Sequence, residues 1–119
     1  MHGGLGRDST FNNMAAVGPD FKRGFNDDLP VGNIDIAPTL EAILGISARP
    51  NGGLRGRVLL EALAERKHSQ SKMMKSRIAS TPAANGKRTV LEYQDFEHVR
   101  YVDRGCVNTL GIRCGGLTH

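Results

Sequence analysis

The chain has 119 residues, of which 39% are hydrophobic, 24% are charged and 15 are glycines, and it contains no tryptophan. This length allows at most one small domain, and the low aromatic content of 5% favours a loop-rich piece of a larger α/β protein over an independent unit. No apolar run approaches the roughly 20 residues that a transmembrane helix needs. The net charge of +4 is compatible with anionic partners such as nucleic acid, an anionic membrane or phosphorylated substrates.

The first third of the sequence reads as loops around one short strand. Gly3, Gly4 and Gly6 predict a loop over residues 1–11. The apolar run in residues 13–17 stops at Gly18-Pro19 and therefore predicts a buried strand. Residues 20–31, which are rich in Asp, Gly and Pro, predict a second loop.

A helix is predicted next, with Asn33 or Asp35 as its N-cap and Pro38 in its first turn. Gly45 provides the left-handed C-terminal stop. Four apolar residues share one helical face, and this stripe is expected to pack against a sheet. The stripe consists of Ile36, Leu40, Ile43 and Leu44.

The second half alternates turns with weaker elements. Residues 47–56 predict a turn region, and residues 57–65 predict a second, shorter helix with Val58, Leu59, Ala62 and Leu63 on its apolar face. The polar tract at 66–87 holds much of the basic surplus and is expected to be an exposed, flexible loop. Residues 88–94 and 97–102 predict a β-hairpin that turns at Asp95-Phe96.

Four short motifs occur in a fixed order along the first 46 residues. They are His2-Gly3-Gly4, Gly18-Pro19-Asp20-Phe21-Lys22, Asn33-Ile34-Asp35-Ile36-Ala37-Pro38-Thr39 and Leu44-Gly45-Ile46. Their order and spacing resemble the C-terminal part of the alkaline phosphatase superfamily, in particular its nucleotide pyrophosphatase/phosphodiesterase branch. The resemblance covers residues 1–63 well and 88–102 loosely.

This resemblance implies an α/β, loop-rich, partial alkaline-phosphatase-like fold made of a strand, two helices and a C-terminal β-hairpin. Residues 1–119 would form a C-terminal fragment of one such domain. The activity implied is zinc-dependent cleavage of phosphate esters or nucleotides, with two zinc ions in the full-length family.

His2 is the metal ligand that the resemblance implies, since a His-Gly pair supplies a zinc ligand in that family. The nucleophile and the remaining ligands would lie upstream of Met1, so the chain supplies at most one ligand and no catalytic residue. Ser9 and Thr10 follow His2 but are not expected to act as the nucleophile. An isolated chain of this kind is expected to be inactive and to need an upstream chain to complete the domain.

Other polar residues have simpler interpretations. Asp20 suits the turn that contains it, Asp35 suits a helix cap, and Lys22 is expected to be solvated. Cys106 and Cys114 match neither a CxxC motif nor a zinc-ribbon spacing; a disulfide is possible in an oxidising compartment, but free thiols are expected.

Two alternatives remain beside the hydrolase segment. One is a non-catalytic interaction module that retains the hydrolase scaffold and folds without zinc. The other is a basic nucleic-acid-binding protein that uses the tract at 66–87, although no recognition motif accompanies it. No signal peptide is visible, whereas full-length relatives of the resembled family are often periplasmic or extracellular.

Overall fold

The computed structural model describes residues 4–49, 51–65 and 74–108. These residues form two compact units, which consist of 4–13, 74–95 and 102–108 in the first and 14–49, 51–65 and 96–101 in the second. The regular elements are helix α1 (Arg7–Thr10), helix α2 (Ile36–Leu44), and strands β1 (Met74–Ala79), β2 (Arg88–Phe96) and β3 (Val99–Asn108). The protein is therefore a small α/β protein. None of the helices in the described ranges is long and apolar enough to cross a membrane.

The three strands form one antiparallel sheet in the order β1-β2-β3. Strand β1 pairs with β2 in a register that places Met74 opposite Asp95 and Ala79 opposite Val90. In the first unit, Val90 and Tyr93 of β2 are buried. The start of the chain joins this unit through the Gly105 amide, which donates to the Leu5 carbonyl at 2.5 Å.

The predicted C-terminal hairpin is confirmed, but its turn lies two residues later than expected. The turn residues are Glu97 and His98, both exposed, and Glu97 has a φ of 54°. Phe96 is completely buried and forms the core of the second unit with Val99 and Tyr101. Burial of an aromatic ring outweighs the turn preference of the Asp95-Phe96 pair, because the ring removes a large apolar surface from water.

Strand β1 occupies a segment that the sequence predicts as loop, so that prediction is wrong for Met74–Ala79. Met74 and Ile78 are half exposed, which explains the weak apolar signal. Backbone pairing to β2 holds the strand instead, and the Ser80 amide extends it by donating to the Thr89 carbonyl at 2.8 Å. Residues 66–73 of the predicted flexible tract lie outside the described residues.

Helix α2 begins after a 3-10 turn at Asn33–Asp35 and ends as the sequence predicts. Gly45 has a φ of 66°, and the amides of Gly45 and Ile46 both donate to the Glu41 carbonyl. A left-handed residue with this pair of bonds satisfies carbonyls that the helix end leaves open.

The face that α2 buries is not the predicted one. Ile36, Leu40 and Leu44 are 43%, 47% and 66% exposed, whereas Asp35 and Thr39 are buried. The Thr39 hydroxyl donates to the Asp35 carbonyl and accepts from the Leu59 amide at 3.1 Å. These polar contacts bring the 57–59 segment against the side of the helix that carries Thr39. Of the predicted apolar stripe, only Ile43 is partly buried.

The prediction of a second helix at 57–65 is wrong. Only a 3-10 turn at Leu60–Ala62 forms there, and Leu63 then makes an antiparallel bridge with Phe21. The Lys22 amide donates to the Ala62 carbonyl at 2.9 Å, and the Ala64 amide donates to the Asp20 carbonyl at 2.8 Å. These backbone groups are therefore engaged with residues 20–22 and do not enter a helical ladder, although Leu59 and Leu63 are buried as expected.

Two further expectations for the N-terminal third are wrong. Residues 13–17 form no strand, and Met14 and Val17 are 44% and 98% exposed. Within the predicted loop, Arg7–Thr10 forms the short helix α1. The amide of Phe11, which follows the helix, donates to the Arg7 carbonyl.

Cys106 lies in β3 and is disulfide-bonded, so the expectation of a free thiol is wrong for this residue. Cys114 is outside the described part of the chain.

The positive φ of Glu97 gives a test of the hairpin. Two-residue hairpin turns of the primed types need a positive φ at their first residue, which glycine adopts without a steric cost. Glu97→Gly is expected to raise the free energy of unfolding by about 0.5 kcal/mol, and Glu97→Val to lower it by about 1 kcal/mol. Urea denaturation measures both, and Glu97→Ala serves as a control for the lost charge. A valine variant as stable as the glycine variant would contradict this backbone geometry.

Candidate functional site

His2, the predicted zinc ligand, lies outside the described residues. Within the described ranges, no group of three or more His, Cys, Asp and Glu side chains is arranged to hold a metal ion. His98 lies in the exposed hairpin turn, and His68 and His119 are outside the described part.

The most concentrated polar chemistry in the described residues is a buried network centred on Asp35. The Asp35 carboxylate is fully buried and accepts three hydrogen bonds. The donors are the Gly32 amide at 2.8 Å, the Arg57 amide at 2.9 Å and the Tyr101 hydroxyl at 3.0 Å. Asp35 occupies the predicted N-cap position of α2, but its side chain makes no capping bond to the first turn and instead ties the start of the helix to two distant segments.

Arg57 is the cation of the network and is 3% exposed. Its guanidinium donates to both carboxylate oxygens of Glu61, at 2.9 and 2.5 Å, in a bidentate pair. It also donates to the Tyr101 hydroxyl and to the Pro30 carbonyl, each at 3.1 Å. The guanidinium carbon lies 4.7 Å from the ring centre of Phe96, which is within cation–π distance.

Electrostatics fix the protonation states of Arg57 and Tyr101. Burial alone would lower the pKa of Arg57, but the hydrogen bonds and negative charge of Glu61 outweigh it and raise the pKa. Burial raises the pKa of Tyr101, and the Asp35 carboxylate raises it further. Arg57 therefore stays charged and Tyr101 stays a neutral phenol, so neither is suited to transfer protons near neutral pH.

Gly56 is required by the close approach of two backbone segments in this network. A Cβ atom at this position would lie 2.0 Å from the Ile34 carbonyl oxygen and 2.9 Å from the Asp35 Cα. No side chain fits in that space, so only glycine lets the Arg57 amide reach the Asp35 carboxylate.

Asp27 is a partly buried carboxyl beside the network. Burial raises its pKa above the ordinary 3.8, and the Glu61 carboxylate raises it further. The Leu29 amide, which donates to Asp27 at 3.0 Å, and the charge of Arg57 act in the opposite direction. The protonated form of Asp27 is therefore favoured by folding.

A pocket of 370 Å³ in the second unit does not suit a phosphate ester. Its lining comprises Pro19, Asp20, Ala42, Ile43, Leu63, Ala64 and Glu65. Both charged side chains in that lining are acidic, and they would repel an anionic substrate.

A second pocket, of 300 Å³ in the first unit, is lined by Lys75, Ser76, Glu92, Tyr93 and Asp103. The charges of Glu92 and Asp103 are already engaged by Arg104 and Gln94, each at 2.6 Å.

Comparisons of the chain with protein-family models, with curated proteins and with solved structures find no match.

Sequence reasoning selected one member of the buried network and missed the others. Asp35 belongs to the motif on which the family resemblance depends, whereas Arg57, Glu61 and Tyr101 were not singled out. A signal for two of them exists: Arg57 and Glu61 are the only charged residues in the otherwise apolar stretch 57–63 and stand four positions apart. Opposite charges within an apolar stretch indicate a buried pair.

The network predicts a strong dependence of stability on Arg57. Arg57→Ala leaves the Glu61 carboxylate buried without its cation, while the backbone amide that bonds Asp35 is kept, and it is expected to lower the free energy of unfolding by about 3–5 kcal/mol. Tyr101→Phe removes only the hydroxyl and is expected to cost about 1–3 kcal/mol. Urea midpoints measure both. Arg55→Ala, at an exposed position two residues away, is the control and should change the stability by about 0.5 kcal/mol or less.

The raised pKa of Asp27 predicts how the free energy of unfolding changes with pH. Because its pKa is raised in the folded protein, its contribution to stability is present below the unfolded value near 3.8 and is lost as the pH rises through the folded pKa. Asp27→Asn keeps an acceptor for the Leu29 amide but does not ionise. The variant should match the wild type at low pH and become more stable than it as the pH rises. Unfolding free energies measured across the acidic range test this, and an unchanging difference would contradict it.

Proposed function

We propose that this chain is the C-terminal part of a zinc-dependent hydrolase of the alkaline phosphatase superfamily, one that cleaves phosphate esters or nucleotide phosphodiester bonds. The chain by itself is inactive in this proposal. It contributes a structural segment and, through His2, one metal ligand, while the nucleophile and the other ligands come from an upstream part of the domain.

The observation that supports this proposal most is the set of contacts made by residues of the Asn-x-Asp-x-x-Pro-Thr motif. Asp35 and Thr39 are both buried and bind the backbone amides of Arg57 and Leu59. Gly45 then ends the helix in the left-handed conformation. Asp35 and Thr39 in this motif, and Gly45 in the Leu-Gly-Ile motif, each have a specific structural role. This supports the interpretation of the two motifs as a meaningful pattern and not as a chance match.

Exposed apolar side chains support the view that further protein covers this segment. Ile36, Leu40 and Leu44 on α2 are between 43% and 66% exposed, and Val17 is almost fully exposed. In a larger α/β domain such a helix stripe packs against a sheet, and removing it from water stabilises the domain.

Zinc binding by the described residues has no support, since they hold no suitable cluster. A zinc ion requires three or four protein ligands, and His2 can supply only one. The proposed metal site therefore depends on ligands from the upstream part.

A non-catalytic interaction module is the second candidate. The same exposed stripe on α2 favours it, because contiguous apolar surface marks a site of association. This alternative differs from the first in requiring neither zinc nor turnover in any assembly.

Zinc content and hydrolysis of bis-p-nitrophenyl phosphate, measured together, test the proposal. The purified chain is expected to hold no stoichiometric zinc and to give no turnover. The product of the gene together with its adjoining upstream coding sequence should bind zinc and turn over the substrate, and His2→Ala should abolish both. His98→Ala, at the exposed hairpin turn, is the matched control and should leave both unchanged.

Two results would contradict the proposal. Stoichiometric zinc with turnover in the isolated chain would show that it holds a complete site. Zinc binding and turnover in the longer product that are unaffected by His2→Ala would remove His2 from the metal site.

A further inference from the structure

The chain contains two Asn-Gly pairs, Asn51-Gly52 and Asn85-Gly86, and both asparagines are exposed. Asparagine followed by glycine is the sequence context most open to intramolecular deamidation, because glycine has no Cβ to obstruct its amide nitrogen. The two pairs share this context but differ in their surroundings, so structure alone distinguishes their reactivity.

Asn85-Gly86 is held in a closed turn between β1 and β2. The Gly86 amide donates to the Ala83 carbonyl at 2.8 Å, and the Ala83 amide donates to the Lys87 carbonyl at 2.8 Å. The Asn85 side-chain oxygen accepts from the Lys87 amide at 3.1 Å. The attacking nitrogen and the attacked amide group are thus both engaged in other hydrogen bonds.

The described part of the chain places no such restraints on Asn51-Gly52. Among the described residues, none makes a hydrogen bond to Asn51 or Gly52. Gly52 and Gly53 are both exposed, and a Cβ atom at either would meet no other atom within 4 Å. The Asn51 side chain can therefore rotate freely into position for attack by the Gly52 nitrogen.

We propose that Asn51 is a site of spontaneous deamidation and that Asn85, in the same sequence context, is protected by its turn. The Gly52 amide nitrogen loses its proton and forms a bond to Asn51 Cγ. The bond from Cγ to Nδ2 breaks, and ammonia leaves with the proton. Water then opens either carbonyl of the resulting succinimide and gives aspartate or isoaspartate, with no change in oxidation state.

The modification changes the charge and the length of the loop that joins α2 to Gly56. The net charge falls from +4 by one, and the new carboxylate lies in the sequence between the exposed Arg49 and Arg55. The isoaspartyl product also adds one methylene to the backbone. Because residues 51–55 are exposed and do not belong to the buried network, the fold is expected to tolerate the change.

Peptide mapping by mass spectrometry after incubation of the full chain at 37 °C and neutral pH tests the proposal. Deamidation at Asn51 is expected to be about tenfold faster than at Asn85, the factor that one or two lost hydrogen bonds produce in a rate. In concentrated urea the two rates should become equal, because unfolding removes the turn around Asn85. Asn51→Gln should abolish the modification at residue 51 and leave Asn85 unchanged.

Equal rates at the two sites in the folded protein, or a faster rate at Asn85, would overturn the proposal. Absence of deamidation at Asn51 in the folded chain, over a time in which the urea-unfolded chain deamidates, would also overturn it. That result would mean that Asn51 is restrained.

Discussion

The contact between the Asp35 carboxylate and the Arg57 amide determines the arrangement of the second unit. Asp35 stands at the start of α2, Arg57 lies 22 residues later, and the bond between them is 2.9 Å long and fully buried. A buried carboxylate is costly unless its oxygens are satisfied, and here three donors satisfy it. The guanidinium of the same Arg57 then pairs with Glu61 and stacks on Phe96, so one residue links the helix, the loop segment and the hairpin tip.

This polar connection inverts the usual amphipathic arrangement of a surface helix. Helices normally bury an apolar stripe, and α2 has one, yet its buried contacts are made by Asp35 and Thr39. Ile36, Leu40 and Leu44 remain exposed because the hydrogen bonds to Arg57 and Leu59 engage the neighbouring face of the helix. The second unit therefore combines a small apolar core around Phe96 with a helix held by polar bonds.

The same network limits the chemistry that the described residues can perform. Its members are buried and paired, and burial with neighbouring charges keeps Arg57 charged and Tyr101 neutral. Groups of this kind stabilise and position a fold but do not bind or activate a substrate. The proposed hydrolase activity therefore depends on residues outside the described ranges, and the motif around Asp35 contributes by holding the chain in shape.

The elements whose signals are local can be predicted from the sequence alone. These are helix α2 with its glycine stop at Gly45, which alone among common residues adopts a left-handed conformation without cost, and a C-terminal hairpin rich in β-formers. Tertiary contacts determine which face of α2 is buried, that residues 62–64 pair with residues 20–22 instead of continuing a helix, and that a polar segment becomes strand β1. Those outcomes depend on hydrogen bonds between residues far apart in the chain, such as Arg57 with Asp35 and Tyr101, and a local pattern does not encode a partner at such a distance.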